Sequence, residues 1–595
     1  MLWTLAICLL LAPLAASAQD DAALTTDWPM TLKLRGSLVL SGGGQLPDEA
    51  LDRFHQLAGG EDARFAVIPI ARSTAERAKN KTIIAALTEK GARSVELFDF
   101  AALVEASDDG STVPLQNING VWLCGDGAPR RANVIEAAGV GEALKAVIER
   151  GGVVGAHAAG SLAVTGVTIT GGNPQARVDG GMGLLPGTII DTRFTQEKRQ
   201  NRLMGVVASH PGQLGIGIDE KTALVLTGRQ LRALGEGAVT LMIPGSPNHP
   251  ARIHAIKAAP AQQPSTPEAG VSAQRNRSSQ RGEQQVQGQR GQRQTQRGQG
   301  QRAQGQRQGG QRQRSEWADW TAWRRQAINR TLTQFPWLDP RPPNVEHGTL
   351  VIVGGGGMPD GLRERFIELA GGPDALIVCI PCSEADNASG ESMTRGFVNA
   401  GAKNVTWVHT KDRNKANSDE GILEQLTNAD GIWFGGGRQW NLVDSWQGTK
   451  AHELIHDVLK RGGVIGGSSA GASIQSEYMP RGDPRGNTNI IAPGYERGLG
   501  LLTGVAVDQH FIRRNRLPNM TELMAKHPIL LGIGLDEATA IIVQKNIAEV
   551  VGRSKVLIYD RLTQPLIPGE KDYLELEDGD FYDLEARKII DPLKQ

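Results

Sequence analysis

Ser469 stands at the centre of GSSAG (residues 467–471), which fits the pattern G-x-S-x-G. In this pattern a strained turn between a strand and a helix lifts a serine hydroxyl above a sheet. The small flanking residues let the backbone fold tightly past itself, and the next helix points its first N–H groups at any oxyanion formed there. A helical apolar pattern up to Arg461 and the β-prone pair Val464 and Ile465 precede the serine. We therefore predict a nucleophile at Ser469.

A serine nucleophile needs a base within hydrogen-bonding reach and an acid that orients this base. His510 follows the apolar run Leu501–Val507, and Glu537 follows the apolar run Ile529–Leu535. Both residues therefore lie at the ends of predicted strands, where parallel sheets gather their chemistry. Asp536 is the alternative third member. The sequence predicts a Ser–His–acid triad.

These residues belong to the second of two copies of one module. GSLVLSGGG (36–44) recurs as GTLVIVGGG (348–356), and LGIGIDEKTA (214–223) recurs as LGIGLDEATA (531–540), with an offset between 311 and 317. Such collinearity indicates a duplicated domain. Each copy alternates β-rich apolar runs with amphipathic helical stretches, which is typical of an α/β fold. We predict two tandem doubly wound domains with mainly parallel sheets, at 36–257 and 348–595.

The second copy resembles the cyanophycinase-like serine exopeptidases, which are relatives of the aspartyl dipeptidases. The resemblance covers roughly residues 348–560 and rests on motifs that occur in the family's order. These motifs are GGGG (354–357), AGG (370–372) with IPCS (380–383), GGRQ (436–439), GSSAGA (467–472), DQHF (508–511) and GIGLDEATA (532–540). The resemblance implies a class I glutamine-amidotransferase-like α/β fold.

The resemblance also implies roles for individual residues. Ser469 matches the nucleophile, His510 the general base and Glu537 the third member of the triad. Backbone N–H groups at Gly437 and Ala470 match the oxyanion hole. The residues expected to hold the substrate are Gln439, Asp508, Gln509, Arg514 and Arg516. No cofactor or metal is expected, because the sequence has no HExxH motif or paired CxxC motifs.

Enzymes of this family release dipeptides in which aspartate is the acyl donor, including β-Asp-Arg units of the polymer cyanophycin. The resemblance therefore implies a serine-type peptidase for acidic or arginine-containing peptides. Asn519 replaces the family's last arginine after DQHF, and Arg438 replaces the usual aspartate before Gln439. Because both departures change the charge of the expected pocket, a small Asp-dipeptide hydrolase is an alternative function.

The first copy lacks the chemistry predicted for the second. Ala158 stands at the position of Ser469, Arg193 at that of His510, and Ala128 at that of Gln439, whereas Glu220 matches Glu537. Loss of nucleophile and base with retention of the glycine scaffold predicts a degenerate domain kept for its shape. Since relatives are often dimers, we expect this domain to form an intrachain pseudo-dimer with the second, and a homo-oligomer is the alternative.

The N-terminus has the features of a secretory signal. Leu2–Ala16 is apolar but short for a membrane span, and Ala16-Ser17-Ala18 is a small-residue cleavage site. We expect a signal peptide at 1–18, cleavage after Ala18, and a secreted or periplasmic protein; an uncleaved membrane anchor is the alternative. No membrane contact is expected beyond this signal.

A basic linker at 258–315 separates the copies. From Arg275 to Arg314 it contains ten arginines and one acidic residue, Glu283, and few apolar residues that could form a core. We expect a disordered, Gln/Arg/Gly-rich tether without a specific nucleic-acid partner. Its charge also fits the alternative of a non-catalytic, polyanion-binding protein of the cell envelope.

Three further segments have structural interpretations. In the helical connector at 316–347, residues 316–332 are expected to form a short amphipathic helix with three tryptophans that docks onto a domain. The stretch Lys571–Arg587 is expected to form a C-terminal hairpin around Asp578-Gly579. Cys379 and Cys382 have CxxC spacing, but residues three apart on a strand point to opposite faces, so we expect packed thiols.

Overall fold

The computed structural model describes residues 34–69, 74–98, 115–124, 140–247, 249–258, 317–332, 334–382, 385–567 and 569–591 of the 595-residue chain. The predicted signal peptide, the linker after residue 258 and Ala128 lie outside the described residues. The described residues form two α/β domains and a connector. None of the helices in these ranges has both the length and the apolar character needed to cross a membrane.

The first domain alternates strands with short helices. Its strands are β1 Ser37–Ser41, β2 Arg64–Pro69, β3 Ser94–Leu97, β4 Gly120–Cys124, β5 Val153–His157, β6 Val167–Gly171, β7 Arg177–Gly180, β8 Thr188–Thr192, β9 Leu214–Ile218, β10 Thr222–Thr227, β11 Gln230–Gly235, β12 Ala238–Ile243 and β13 Arg252–Lys257. Its helices are α1 Asp48–Ala58, α2 Thr74–Glu89, α3 Gly141–Glu149, α4 Ala159–Ala163 and α5 Gln200–Ser209.

One sheet forms the centre of this domain, in the order β3-β2-β4-β5-β1-β10-β11. The first five strands are parallel, and β10 and β11 continue the sheet in antiparallel pairing. A second sheet has the order β13-β12-β9-β8. Because β1, β4 and β9 are buried at every residue, their sequences are almost continuously apolar instead of alternating.

The connector is only partly helical. Strand β14, Ala318–Asp319, pairs with β11, and helix α6 covers Trp320–Asn329. Trp320 and Trp323 are buried, so the predicted docking of the tryptophans is confirmed for these two. The helix predicted over 316–332 is shorter in the structure, where α6 covers Trp320–Asn329, and the proline-rich stretch 334–344 of the connector has neither helix nor strand.

The second domain repeats the alternation. Its strands are β15 Val345–Val353, β16 Leu376–Cys382, β17 Asn404–Trp407, β18 Gly431–Gly437, β19 Val464–Ser468, β20 Ser476–Tyr478, β21 Leu502–Gln509, β22 Leu531–Leu535, β23 Thr539–Lys545, β24 Ile547–Gly552, β25 Val556–Asp560, β26 Leu574–Leu576, β27 Phe581–Asp583 and β28 Lys588–Ile590. Its helices are α7 Leu362–Leu369, α8 Glu391–Asn399, α9 Arg413–Ser418, α10 Glu420–Asn428, α11 Trp440–Trp446, α12 Lys450–Lys460, α13 Ala470–Ser473 and α14 Leu517–Lys526.

The central sheet of this domain has the order β17-β16-β18-β19-β15-β23-β24-β27-β28. Its first five strands are parallel and match the five parallel strands of the first domain in order. A second sheet has the order β20-β21-β22-β25-β26. The predicted α/β class and the tandem duplication are confirmed.

The predicted C-terminal hairpin around Asp578-Gly579 is wrong. β26 pairs with β25 in the five-stranded sheet, whereas β27 pairs with β24 and β28 in the nine-stranded sheet. The turn at Asp578-Gly579 therefore carries the chain from the five-stranded to the nine-stranded sheet. The antiparallel hairpin is formed by the next two strands, β27 and β28. Alternating polarity identified the strands but contains no information about their partners.

Cys379 and Cys382 are free, buried thiols on β16, as predicted. They pack in different apolar clusters, Cys379 with Trp433 and Cys382 with Phe434. Burial raises the pKa of the Cys379 thiol to about 12. Both thiols therefore serve as small apolar side chains of the core.

Two arginines join the first domain and the connector to the second domain. Arg229, in the turn after β10, donates to the Asp444 carboxylate and to the Tyr495 hydroxyl. Arg325 on α6 donates from Nε to the carbonyl oxygen of Gly494 over 2.8 Å. Both guanidinium groups are largely buried and share the Asp444 carboxylate, and Arg229 also pairs with Asp319. Loss of Asp444 would therefore remove a carboxylate partner from two buried charges at once.

Candidate active site

The predicted nucleophile lies on a sharp turn between β19 and α13. Ser469 has φ 59° and ψ −110°, a conformation that residues with a side chain rarely adopt. Its amide N–H donates to Val353 O over 3.0 Å, which ties the turn to the end of β15. A Cβ on Gly467 would lie 2.4 Å from Gly471 O, so only glycine fits there. The neighbouring backbone thus holds the strained turn that carries the serine.

Three side chains form one hydrogen-bonded chain at this turn. The Ser469 Oγ lies 2.9 Å from His510 Nε2, and His510 Nδ1 lies 2.7 Å from Glu537 Oε1. They come from positions that directly or closely follow β19, β21 and β22. A neutral imidazole that donates from Nδ1 to the carboxylate can accept the serine proton at Nε2. The arrangement is that of an activated serine nucleophile.

The surroundings of His510 favour its neutral form. The side chain is 9% exposed, and burial lowers its pKa more than the hydrogen bond to Glu537 raises it. The positive charges of Arg514 and Arg516 lower this pKa further. The imidazole can therefore accept a proton at neutral pH.

The glycine loop 354–357 lies directly against the triad. A Cβ on Gly355 would lie 2.5 Å from the His510 ring, and a Cβ on Gly356 would lie 2.5 Å from the Glu537 side chain. Both glycines have positive φ, at 97° and 68°. The loop therefore lets the base and the acid approach the backbone more closely than any other residue type would allow.

The first copy repeats the backbone of this site without its chemistry. Ala158 has φ 47° and ψ −105°, and its N–H donates to Ser41 O over 2.9 Å, in the same way that the serine is anchored in the second copy. Arg193 has φ 50° and forms an ion pair with Glu220 at 3.3 Å. The strained turn thus persists where neither nucleophile nor base remains.

The sequence profile of peptidase family S51 matches residues 38–234 and 350–551. The chain belongs to peptidase family S51. Because the profile matches twice, each of the two domains is an S51 unit, in agreement with the repeated strand order. The chain is a serine-type peptidase with two copies of the family's domain.

Curated relatives of this S51 chain include two cyanophycinases. The cyanophycinase of Geminocystis herdmanii is 35% identical over 203 residues, covering 33% of this chain and 74% of the relative. That of Synechococcus elongatus is 32% identical over 260 residues, covering 40% and 80%. A solved peptidase structure from an acI-B1 actinobacterium is 24% identical, covers 40% of this chain and 97% of that one, and has a TM-score of 0.32.

Replacing Gly355 by alanine is expected to lower kcat for peptide hydrolysis roughly 100-fold, because the new methyl group would displace His510 from Ser469. The matched control is Gly357→Ala. Gly357 also has a positive φ, 144°, but a Cβ there would meet no atom within 4 Å. Steady-state kinetics give kcat and KM, and Tm monitors folding. Equal losses of kcat in both variants would contradict the steric argument.

Glu537, and not the neighbouring Asp536, contacts the base. Asp536 accepts hydrogen bonds from the amides of Ile512 and Arg513 and from the Ser554 hydroxyl. In the first copy the equivalent Asp219 accepts from two amides in the same way. Since this pattern occurs where no base is present, the aspartate holds the turn and the glutamate is the triad candidate.

The two predicted oxyanion donors border the nucleophile. Gly437 is the last residue of β18, and Ala470 is the first residue of α13. A Cβ on Gly436 would lie 3.7 Å from the Ser469 Cβ, so this glycine stretch passes beside the serine. Donation by the N–H groups of Gly437 and Ala470 to an oxyanion stays a prediction.

The residues expected to hold the substrate differ in burial. Arg514 is exposed close to His510. The other four are at most 5% exposed: Gln439, Asp508, Gln509 and Arg516. Gln439 Nε2 donates to Pro480 O over 2.8 Å, which ties the start of α11 to the segment after β20. Arg514 is therefore the best placed of these side chains to meet a substrate.

Asp508 and Arg516 have a structural role that the resemblance did not predict. Arg516 donates to the Asp508 carboxylate over 2.8 Å, and Asp508 has no exposed surface. The first copy keeps this pair as Asp191 and Arg199, at 3.2 Å. Because the pair persists in the copy that has alanine at the position of Ser469, it supports the end of the strand that precedes His510, and the expected substrate contact of Asp508 and Arg516 stays a prediction.

Sequence reasoning missed Arg481, which is 3% exposed and donates to the Asp508 carboxylate. Arg481 lies in an irregular segment, so no periodicity indicated it. The available signal was Asn519, where the first copy has an arginine. Within the described residues, no group of three or more histidine, cysteine or acidic side chains is arranged to hold a metal ion.

Proposed function

We propose that the second domain hydrolyses peptide bonds in which aspartate is the acyl donor, including β-Asp-Arg units. Ser469 is the nucleophile, His510 the general base and Glu537 the acid that orients the base. The hydrogen bonds from Ser469 to His510 and from His510 to Glu537 support this assignment. The first copy has alanine and arginine at the positions of Ser469 and His510, so it cannot form this chain. The relatives named cyanophycinase support the substrate class.

Acylation begins when Ser469 Oγ attacks the carbonyl carbon and its proton moves to His510 Nε2. Glu537 stabilises the imidazolium that forms, through the bond to Nδ1. The N–H groups of Gly437 and Ala470 bind the oxyanion. The tetrahedral intermediate then breaks its C–N bond, and His510 gives its proton to the leaving amine.

Deacylation uses the same groups with water as the nucleophile. His510 takes a proton from water, the oxygen of that water attacks the ester carbonyl, and the bond to Ser469 Oγ breaks. The proton returns to Ser469 from Nε2. Because His510 must be neutral at the start of both halves, its lowered pKa favours the reaction at neutral pH.

Positive charge at the mouth of the site favours an acidic acyl residue. Arg514 is exposed near His510, and Arg438 lies directly after Gly437. In the first copy Glu197 occupies the position of Arg514, so the positive charge is present only in the copy that has Ser469. An arginine side chain binds a carboxylate through charge-assisted hydrogen bonds. We assign recognition of the substrate aspartate to this pair.

The remaining features fit an exported enzyme whose first domain replaces a second subunit. Arg229 and Arg325 connect the two halves across a buried contact. Export would begin with the signal at 1–18. The acidic or arginine-containing peptide is the only partner that the proposed reaction requires.

The test combines hydrolysis with covalent labelling. The full chain is incubated with β-Asp-Arg, with α-Asp-Arg, with a β-Asp-Arg analogue whose free α-carboxylate is a carboxamide, and with cyanophycin, and separately with a fluorophosphonate probe. We expect cleavage of the β-Asp-Arg peptide, a large loss of cleavage with the carboxamide analogue, and label on the tryptic peptide that contains Ser469. N-terminal sequencing of protein from its native cells should begin at Gln19.

The outcomes separate the alternatives. Cleavage of dipeptides without release from cyanophycin assigns the enzyme to small Asp-dipeptides and removes the polymer from the proposal. Salt-sensitive binding of polyanions with neither cleavage nor label supports the non-catalytic alternative. Label on a residue other than Ser469 would overturn the mechanism.

A further inference from the structure

Both copies bury an aspartate two residues before the position of the base. Asp191 in the first copy and Asp508 in the second are fully buried, and each accepts a hydrogen bond from an equivalent arginine, Arg199 or Arg516. A buried carboxylate needs further donors to offset its desolvation. The copies differ in the residue that supplies the second guanidinium.

In the first copy the second guanidinium comes from helix α5. Arg202 Nε donates to Asp191 Oδ2 over 2.8 Å, and Arg202 Nη1 donates to Gly172 O over 2.9 Å. The side chain is 5% exposed. The equivalent position at the start of α14 in the second copy is Asn519, which cannot supply a charge. The second carboxylate has therefore lost the donor that its duplicate uses.

Arg481 takes this place from a different part of the chain. Its Nε lies 2.9 Å from Asp508 Oδ2 and 3.1 Å from Asp508 Oδ1. Its Nη2 donates to Asn519 Oδ1 over 3.0 Å. Asn519, which stands at the position of Arg202, therefore accepts a hydrogen bond from the arginine that now binds Asp508. Arg481 has φ 58°, which is unfavourable for a residue with a side chain. The surrounding contacts must offset this strain.

The segment that carries Arg481 is new relative to the first copy. The offset between equivalent positions rises from 311 at Gly151 and Gly462 to 317 at Asp191 and Asp508, so the second copy gains six residues in between. Where the first copy has the β6-β7 hairpin, the second has residues 479–501 without helix or strand. The second copy therefore differs from the first both in this segment and in having Asn519 at the position of Arg202.

Contacts at both ends hold the segment. At one end Gln439 Nε2 donates to Pro480 O and to Arg481 O, over 2.8 and 3.1 Å, and Gln439 directly precedes α11. At the other end Arg325 of the connector donates to Gly494 O over 2.8 Å. The segment therefore links the strand of the base, the loop of the oxyanion donors and the contact with the first half of the chain.

We propose that Arg481 is a positioning residue of the catalytic strand, and that it replaces the arginine that Asn519 no longer supplies. The proposal rests on the proposed function for its catalytic consequence. By binding Asp508, Arg481 fixes the end of β21, where His510 follows. By accepting from Gln439 through its carbonyl oxygen, it also holds the segment that contains the predicted oxyanion donor Gly437.

The experiment is a double-mutant cycle in the full chain with Arg481→Ala, Asn519→Arg and the combination of both. The readouts are Tm and the second-order rate constant for labelling of Ser469 by diisopropyl fluorophosphate, a small probe that does not need the substrate pocket. Arg481→Ala should lower Tm by roughly 5–10 °C and the labelling rate about tenfold or more. The double variant should recover most of both losses, because an arginine at 519 reaches Asp508 as Arg202 reaches Asp191.

The matched control is Arg202→Ala, which removes the same contact from the copy without a nucleophile. It should lower Tm and leave the labelling rate of Ser469 unchanged. A double variant no better than Arg481→Ala in Tm would overturn the replacement. Recovery of Tm without recovery of the labelling rate would overturn the positioning role. Because Tm is measured without any reaction, it tests whether Arg481 replaces the lost arginine even in an inactive protein. A wild-type protein that is neither labelled nor able to cleave peptides would instead reject the proposed function.

Discussion

Ser469→Ala is expected to lower kcat for β-Asp-Arg hydrolysis by about 10⁶-fold. The alanine keeps the backbone of the turn, since Ala158 adopts the same strained conformation in the first copy. The loss therefore reports the hydroxyl itself, and Tm should stay close to that of the wild type. The measurement is release of arginine-containing product at enzyme concentrations high enough to detect the residual rate.

The first copy supplies a matched control for this variant. Ala158→Ser places a hydroxyl on an equivalent turn, but the neighbouring Arg193 is paired with Glu220 and cannot serve as a base. Adding this substitution to Ser469→Ala should therefore restore no activity. Turnover of Ser469→Ala above 1% of wild type would reject the serine as nucleophile.

The triad could be predicted from the sequence because each of its members follows an apolar run. Ser469, His510 and Glu537 all lie next to strands that are buried over their whole length or nearly so. Because β21 and β22 are parallel neighbours in the five-stranded sheet, the ends of these runs bring His510 and Glu537 to one edge. Ser469 follows β19 of the nine-stranded sheet, and the sequence contains no information about how the two sheets meet. The distinction between Glu537 and Asp536 needed the structure, since it depends on which carboxylate faces the imidazole.

The support behind the triad could not be predicted in the same way. The resemblance implied that Asp508 and Arg516 face the substrate, and charged residues are rarely buried unless they are paired. Their burial depends on mutual pairing, which has no periodic signature. Arg481 reaches this pair from residues 479–501, where no regular element fixes its direction. Similarly, Asp578 was correctly placed in a turn, but the partners of the flanking strands depend on distant contacts.

Glu537→Gln is expected to lower the plateau of kcat/KM by about 10⁴-fold and to move its acid limb to lower pH. The glutamine amide can donate to His510 Nδ1, which places the remaining proton on Nε2 and removes the acceptor for the serine proton. In the wild type, burial lowers the pKa of His510 below its ordinary value of 6.5, and the hydrogen bond to Glu537 partly offsets this effect.

The direction of the pH shift follows from which form of the base is active. Only neutral His510 accepts a proton, so kcat/KM rises as the pH increases through its pKa and is level at neutral pH. Loss of the carboxylate removes the contribution that raises this pKa, so the rise occurs at lower pH in Glu537→Gln. Glu220→Gln, the same change beside Arg193 in the first copy, should leave both the plateau and the limb unchanged. A limb that moves to higher pH, or a plateau within tenfold of wild type, would show that Glu537 does not orient the base.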